Sequence, residues 1–196
     1  VTGVPEPPEN HPDRLRWNER YRAHDGGFEP HPLSSAAAVE GLPEGPVLEL
    51  ACGRSGSALA LAAKGRMVVA VDVSDVAMAD LRKRAQDKGV AELVHCVLAD
   101  ASEYRPADDF ALVLATRYWD PSAFTIAVGA VKPGGLLGWE ALAVPGEHEG
   151  ALPPWHIRHG DLAALVPEGW TVLAEELIRQ GHRRFSRVLA RKAGPP

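Results

Sequence analysis

Between residues 46 and 130 the chain keeps repeating one alternation: a short unbroken run of Val, Leu and Ala, then a longer stretch with helical spacing. PVLEL, RMVVAVDV, ELVHCVLAD and DFALVLAT are the runs. None shows the apolar–polar alternation of a strand with one wet face, so each predicts a strand buried on both faces, as in a parallel sheet covered by helices. SALALAAKG, DVAMADLRKRAQDKG and DPSAFTIAVGAV are the intervening helices, with Ser74 as the N-cap of the second. Strands alternating with helices give a doubly wound α/β sheet.

The end of the chain leaves this rhythm. VKPGG reads as a turn, GLLGWEALAV as a fifth strand and GDLAALVP as a short helix. WTVLAEELIRQ and HRRFSRVLARK follow with a junction too short for a parallel return, which needs a crossover of a dozen residues or more. The expectation is a seven-stranded, mostly parallel sheet closed by a C-terminal antiparallel hairpin.

Upstream, residues 1–12 hold four prolines and no periodicity and read as a flexible arm. Residues 13–45 read as a helical lid over a single domain spanning 46–192. Asp13 stands where an N-cap belongs, Leu15, Trp17 and Tyr21 share much of one helix face, and SSAAAVEGL forms a second short helix. A net charge of −5 without a basic run argues against a partner held by phosphate contacts, so no nucleic acid is expected. Two cysteines, Cys52 and Cys96, and no apolar run of membrane-spanning length point to a cytoplasmic protein without a disulfide framework or a membrane partner.

The first strand ends in E-L-A-C-G-R-S-G, residues 49–56. A glycine turn between strand and helix lets backbone approach a ligand. Read as A-x-G-x-x-G on Ala51, Gly53 and Gly56, with Asp72 closing the second strand, the pattern approximates a dinucleotide fingerprint. Glu49 argues against that reading, because a carboxylate beside a pyrophosphate repels it. It suits a cationic group such as the amino group of a methionine moiety.

With Glu49, the small turn, Asp72, Asp100 and the terminal hairpin taken together, residues 46–191 resemble the class I S-adenosylmethionine-dependent methyltransferases. W-N-E-R-Y-R at 17–22, L-E-L-A-C-G-R and the ending L-A-R-K look more narrowly like the tellurite-resistance and thiopurine-type enzymes, which act on small acceptors. The resemblance implies S-adenosyl-L-methionine as cofactor. It places Glu49, Ala51, Cys52, Gly53 and Ser55 around the methionine part, and Asp72 on the ribose hydroxyls with Val73 against the adenine. Asp100 and Ala101 fall at the adenine edge, and Thr116 ends the fourth strand beside the cofactor. Ala51 and Ser55 stand where the family carries its first and third glycines.

The acceptor side is read from position. R-Y-W-D-P at 117–121 follows the fourth strand at the carboxyl edge of the sheet, where ligands bind in such folds. Arg117, Tyr118 and Trp119 are therefore candidates, with Trp17 and Tyr21 from the lid and His156 and His182 from later connections. Cys52 reads as a small apolar spacer and not as a nucleophile, and no spacing suggests a metal site. The reading is a methyltransferase using in-line displacement onto a small-molecule acceptor. A nicotinamide-dependent oxidoreductase and a non-catalytic S-adenosylmethionine-binding module stay open as alternatives.

Overall fold

The computed structural model describes residues 7–145, 148, 150–153 and 155–194. The first half of the proline-rich arm, residues 1–6, lies outside that range. The helices are α1 (Pro12–Ala23), α2 (Gly56–Ala62), α3 (Asp75–Asp87), α4 (Pro121–Ala130) and α5 (Asp161–Ala164). The strands are β1 (Val47–Leu50), β2 (Val68–Asp72), β3 (Val94–Leu98), β4 (Phe110–Ala115), β5 (Val131–Val144), β6 (His156–Arg158), β7 (Trp170–Gln180) and β8 (Arg183–Lys192).

The sheet runs β3-β2-β1-β4-β5-β8-β7. The first five strands of that order are mutually parallel, whereas β8 is antiparallel to β5 and β7 to β8. The seven expected strands are thus joined by one more. β6 pairs in parallel with the end of β5, Leu142 opposite His156. Because β8 already occupies one side of β5 at Leu142, β6 takes the other side, beyond the last residue of β4. β6 therefore returns the chain to the carboxyl edge of the parallel strands.

Every residue of β1, β2 and β4 is buried, and their alternate side chains feed two cores. Leu48, Leu50, Val113, Phe124 and Trp139 fill one face, and Val47, Leu59, Met78, Leu81 and Leu136 the other. Each such side chain contributes roughly 1.5–3 kcal/mol on burial, which is why these runs need no polar alternation. Helix starts follow the expected chemistry: Ser74 Oγ accepts from the Ala77 amide at 3.1 Å and Asp120 Oδ1 from the Ala123 amide at 2.9 Å.

Several local expectations are corrected. KPGG is not a turn before β5 but an irregularity inside it: Phe110 faces Val131 and Leu112 faces Leu136, so the extra residues bulge out. The second N-terminal helix is a 3-10 helix, Pro32–Ala38. Asp13 does not cap α1, which starts one residue earlier at Pro12 without a side-chain cap; Asp13 pairs instead with Arg16 at 2.9 Å.

Nor does α1 bury an apolar face with Leu15 in it, for Leu15 is 55% exposed. The buried residues are Arg14 and Asn18. The reason is what α1 packs on, the polar N-terminus of α3. Asp75 Oδ1 accepts from Arg14 Nε at 2.8 Å and from Asn18 Nδ2 at 2.6 Å, while Ser74 Oγ donates to Asn18 Oδ1 at 2.6 Å.

Asn18→Ala takes the Asn18 bonds from Ser74 and Asp75 while Arg14 stays on Asp75, a loss of about 1–3 kcal/mol confined to the docking of α1. Hydrogen exchange across 13–23 should speed up at least tenfold while amides of β1 and β4 keep wild-type protection. Uniform acceleration through the whole chain would contradict a local dock.

Candidate functional site

Glu49 sits inside β1 and is 2% exposed, at the carboxyl end of a strand with no water on either side. The chain then turns through two left-handed residues, Ala51 at φ 48° and Gly53 at φ 54°. Ser55 does double duty: its hydroxyl caps α2 by accepting from the Ala58 amide at 2.8 Å and donates to Glu49 Oε2 at 2.5 Å. The residue in the third-glycine place of the family pattern thus becomes a helix cap and the partner of Glu49. Asp72, 6% exposed at the end of the adjacent β2, accepts from the Gly53 amide and from the Ser74 amide, each at 2.8 Å.

The two glycines of the turn make room for the chain itself. A Cβ on Gly53 would meet the Tyr21 hydroxyl, and one on Gly56 the Phe28 carbonyl. Tyr21 of α1 therefore lies directly over the turn. Arg54 holds that arrangement, donating to Asp80 at 2.7 Å, to the Tyr21 carbonyl at 2.8 Å and to the His24 carbonyl, with its guanidinium 5.3 Å from the Tyr21 ring centroid.

The buried carboxylates fall into two kinds. Neither Glu49 nor Asp72 forms an ion pair among the described residues. Burial raises the Glu49 carboxyl to about 7, with the Asp72 charge adding to it against the Ser55 hydrogen bond. Burial likewise raises Asp72 to about 6, against the amide bonds from Ser74 and Gly53. Glu140 on β5 is also 2% exposed, yet it is compensated. Burial would raise it, but His31 at 3.1 Å and Arg187 at 2.8 and 3.0 Å outweigh burial and hold it below the ordinary carboxylate range. A buried anion with its cation beside it is structural; one without is poised for a ligand that brings the positive charge.

The other cofactor candidates gather nearby. Val73 follows Asp72 and Thr116 follows β4, both partly buried, and Ala101 is buried. Asp100 is already engaged: its Oδ1 accepts from the amide and hydroxyl of Ser102, each at 2.8 Å, and its Oδ2 lies 3.3 Å from His11 Nε2. Burial, then Asp72 and Glu49, push the Cys52 thiol well up.

On the acceptor side, Tyr118 and Trp119 turn toward the core. Tyr118 packs 6.2 Å from Trp139, whose indole donates to the Tyr118 carbonyl at 2.8 Å, and Trp119 lies 5.8 Å from Phe124. Arg117 points the other way from a left-handed φ of 57°, above the Phe185 ring and 4.0 Å from Glu140. Trp17 stacks on Tyr21 at 5.9 Å, and Arg16 lies between the Trp17 and Trp155 rings at 5.4 and 4.6 Å, linking α1 to the 145–155 connection. His156 opens β6 at this edge, and His182 is exposed at the tip of the β7–β8 hairpin. Burial and neighbouring aspartates push both the Tyr21 and Tyr118 phenols up.

Sequence reasoning missed His31 altogether. Its Nδ1 accepts from the Leu33 amide at 3.2 Å, so Nε2 carries the proton and donates to Glu140; no lone pair is left for proton abstraction. With its backbone amide also donating to Ser57 Oγ at 2.9 Å, His31 pins the N-terminal segment across α2 and β5. Among the described residues, no group of three His, Cys, Asp or Glu side chains is placed to hold a metal ion, and no helix is long and apolar enough to cross a membrane.

Residues 47–135 match the family model described as a methyltransferase domain. The fold recurs in solved structures. The [4+2]-cyclase SpnF superposes with a TM-score of 0.72 at 16% identity, covering 100% of both chains. TehB from Haemophilus influenzae gives 0.68 at 18% identity over 91% of this chain and 66% of that one. The CcbJ methyltransferase from Streptomyces caelestis gives 0.63 at 18% identity over 90% of this chain and 96% of that one. Residues 47–135 thus match a methyltransferase domain, and the likenesses to solved structures show a Rossmann-like α/β fold.

An acid whose pKa is raised by folding destabilises the folded state once ionised. Measured against Glu49→Gln, the wild-type chain without ligand should lose stability as pH climbs from the ordinary carboxylate range, roughly 4, to about 7. Above that the difference should be level. Thermal unfolding of both proteins across this range checks it; a difference independent of pH would mean that Glu49 is not raised.

Proposed function

We propose that this methyltransferase binds S-adenosyl-L-methionine across the carboxyl ends of β1 and β2 and passes its methyl group to a small-molecule acceptor. The observation that carries the reading is the pair of buried carboxylates, Glu49 and Asp72, flanking a left-handed turn, neither of them in an ion pair among the described residues. A ligand bearing an ammonium and a sulfonium supplies the missing charge, whereas a dinucleotide pyrophosphate worsens the imbalance.

In this reading Glu49 faces the cofactor's amino group through the turn of Ala51, Cys52 and Gly53, Ser55 orients Glu49, and Asp72 accepts from the ribose hydroxyls. Val73, Asp100, Ala101 and Thr116 border the adenosine. S-adenosylmethionine when bound supplies an electrophilic methyl on a sulfonium. The protein's part is to align acceptor and methyl and to exclude water, an effect reaching roughly 7–11 kcal/mol in well-oriented cases. Residues 13–45 act as the lid of the 46–192 domain, with Tyr21 above the turn and Trp17, Arg16 and Trp155 bridging to the 145–155 connection. Arg117, His156 and His182 border the acceptor space. With both tyrosines held protonated and His31 fully bonded, the site favours an acceptor that arrives already nucleophilic, such as a thiolate. A net charge of −5 and a roofed edge suit a small molecule better than a nucleic acid.

Asp72→Ala should weaken S-adenosylmethionine at least tenfold in a folded protein, since hydrogen bonds to a charged group are worth about 1.5–3 kcal/mol each. Calorimetry giving unchanged affinity would remove Asp72 from the site. For the wild type, affinity should rise as pH passes from about 6 to about 7, where the carboxylates ionise, with proton release on binding. Turnover of labelled cofactor against thiol and oxyanion acceptors then separates an enzyme from a binding module. Tighter dinucleotide binding by Glu49→Gln, with no response to S-adenosylmethionine, would favour an oxidoreductase.

A further inference from the structure

Among the described residues β7 is the outer strand of the sheet, paired on one side only, and it is long: Trp170–Gln180. Such an edge offers a row of free backbone donors and acceptors, and proteins usually blunt it with lysine, proline or a covering element. This strand contains neither lysine nor proline. Residues 171–176 are exposed, with Val172 at 41% and Leu173 at 44%. An open groove of about 250 Å³ beside Ala174 and Glu176 keeps one face of the strand bare as well.

The pairing of β7 with β8 slips between Val172 and Ala174, so Leu173 is a bulge and the regular edge begins at Ala174. What remains is AEELIRQ, seven residues centred on Leu177. Glu175, Leu177 and Arg179 lie on one face and Ala174, Glu176, Ile178 and Gln180 on the other, because side chains alternate along a strand. Glu176 is bonded to Arg187 at 3.3 Å within the chain. Glu175 and Arg179 have no hydrogen bond or ion pair among the described residues. Four residues apart along a strand, they stand roughly 13 Å from each other, too far to pair.

We propose that the β7 edge is a self-association surface, on which a second copy of this chain adds its own β7 antiparallel about a two-fold axis through Leu177. That register opposes Glu175 to Arg179 twice, Ala174 to Gln180, Glu176 to Ile178, and Leu177 to itself. It uses all seven residues and keeps every opposed pair on one face. The neighbouring registers are worse: centring on Glu175 or Glu176 sets two like charges directly opposite, and centring on Ile178 leaves Glu175 unpaired. The occupant is thus selected by the strand's own charge order. Seven residue pairs bury less than the ~1,600 Å² of a standard interface, so the dimer is a concentration-dependent one that extends the sheet from seven strands in line to fourteen.

Sedimentation equilibrium over a hundredfold range of concentration tests this with the whole chain. The wild type should show a monomer–dimer equilibrium. Glu175→Arg and Arg179→Glu each replace two attractive pairs by two repulsive ones and should raise the dissociation constant about tenfold or more. The double variant Glu175→Arg with Arg179→Glu restores opposite charges across the axis and should return to within about twofold of wild type. Since the two side chains do not touch within one chain, a fold defect cannot mimic that rescue. A wild type that stays monomeric throughout overturns the proposal. So does a dimer indifferent to either single change, or a double variant as weak as the singles.

Discussion

A charge placed inside a strand that has no wet face is the constraint on which the rest of the site depends. β1 is buried from Val47 to Leu50, and Glu49 is part of it. Water cannot reach the carboxyl, so its needs must be met by the turn that follows or by a ligand. Ser55 meets one of them, and to do so the chain passes through left-handed Ala51 and Gly53 before α2 can begin. The Gly53 amide is thereby turned onto Asp72, coupling the ends of β1 and β2 into one electrostatic unit. The turn's shape is thus a consequence of where Glu49 sits.

The contrast with Glu140 gives that unit its meaning. Both residues are glutamates on central strands with the same 2% exposure. One is locked by a histidine and an arginine from distant parts of the chain, and its job is to join β5, β8 and the segment before the 3-10 helix. The other has only a hydroxyl, and its neighbouring charge is another carboxylate. Surface exposure is the same, but Glu140 has cationic partners that hold it below the ordinary carboxylate range, whereas Glu49 has none among the described residues and is raised.

The N-terminal segment is held in a way that suits a cover. α1 has no fully buried apolar residue; its buried residues are Arg14 and Asn18 on the capping residues of α3, and Tyr21 reaches over the turn under the hold of Arg54. Polar docks of this kind are worth a few kcal/mol and exchange readily with water, whereas the sheet beneath rests on side chains buried on both faces. The stability of the two layers therefore differs by construction.

The sequence by itself determined the sheet and the strand-end acids, because both are written in local pattern. Unbroken Val/Leu/Ala runs can only be satisfied by burial on two faces, helix caps such as Ser74 act over three residues, and a carboxylate ending an apolar run marks a strand terminus. What only the tertiary structure decided are contacts between residues with no periodic relation. His31 meets Glu140 across 109 positions, Arg187 joins them across 47, and Asn18 reaches Ser74 across 56. The misread face of α1 has the same origin: hydrophobic spacing assumes an apolar neighbour, and the neighbour here is a helix N-terminus whose unpaired groups attract polar side chains. Likewise, Tyr118 and Trp119 share one short loop, but only the position of Trp139 and Phe124 turned their rings inward while Arg117 beside them turned out.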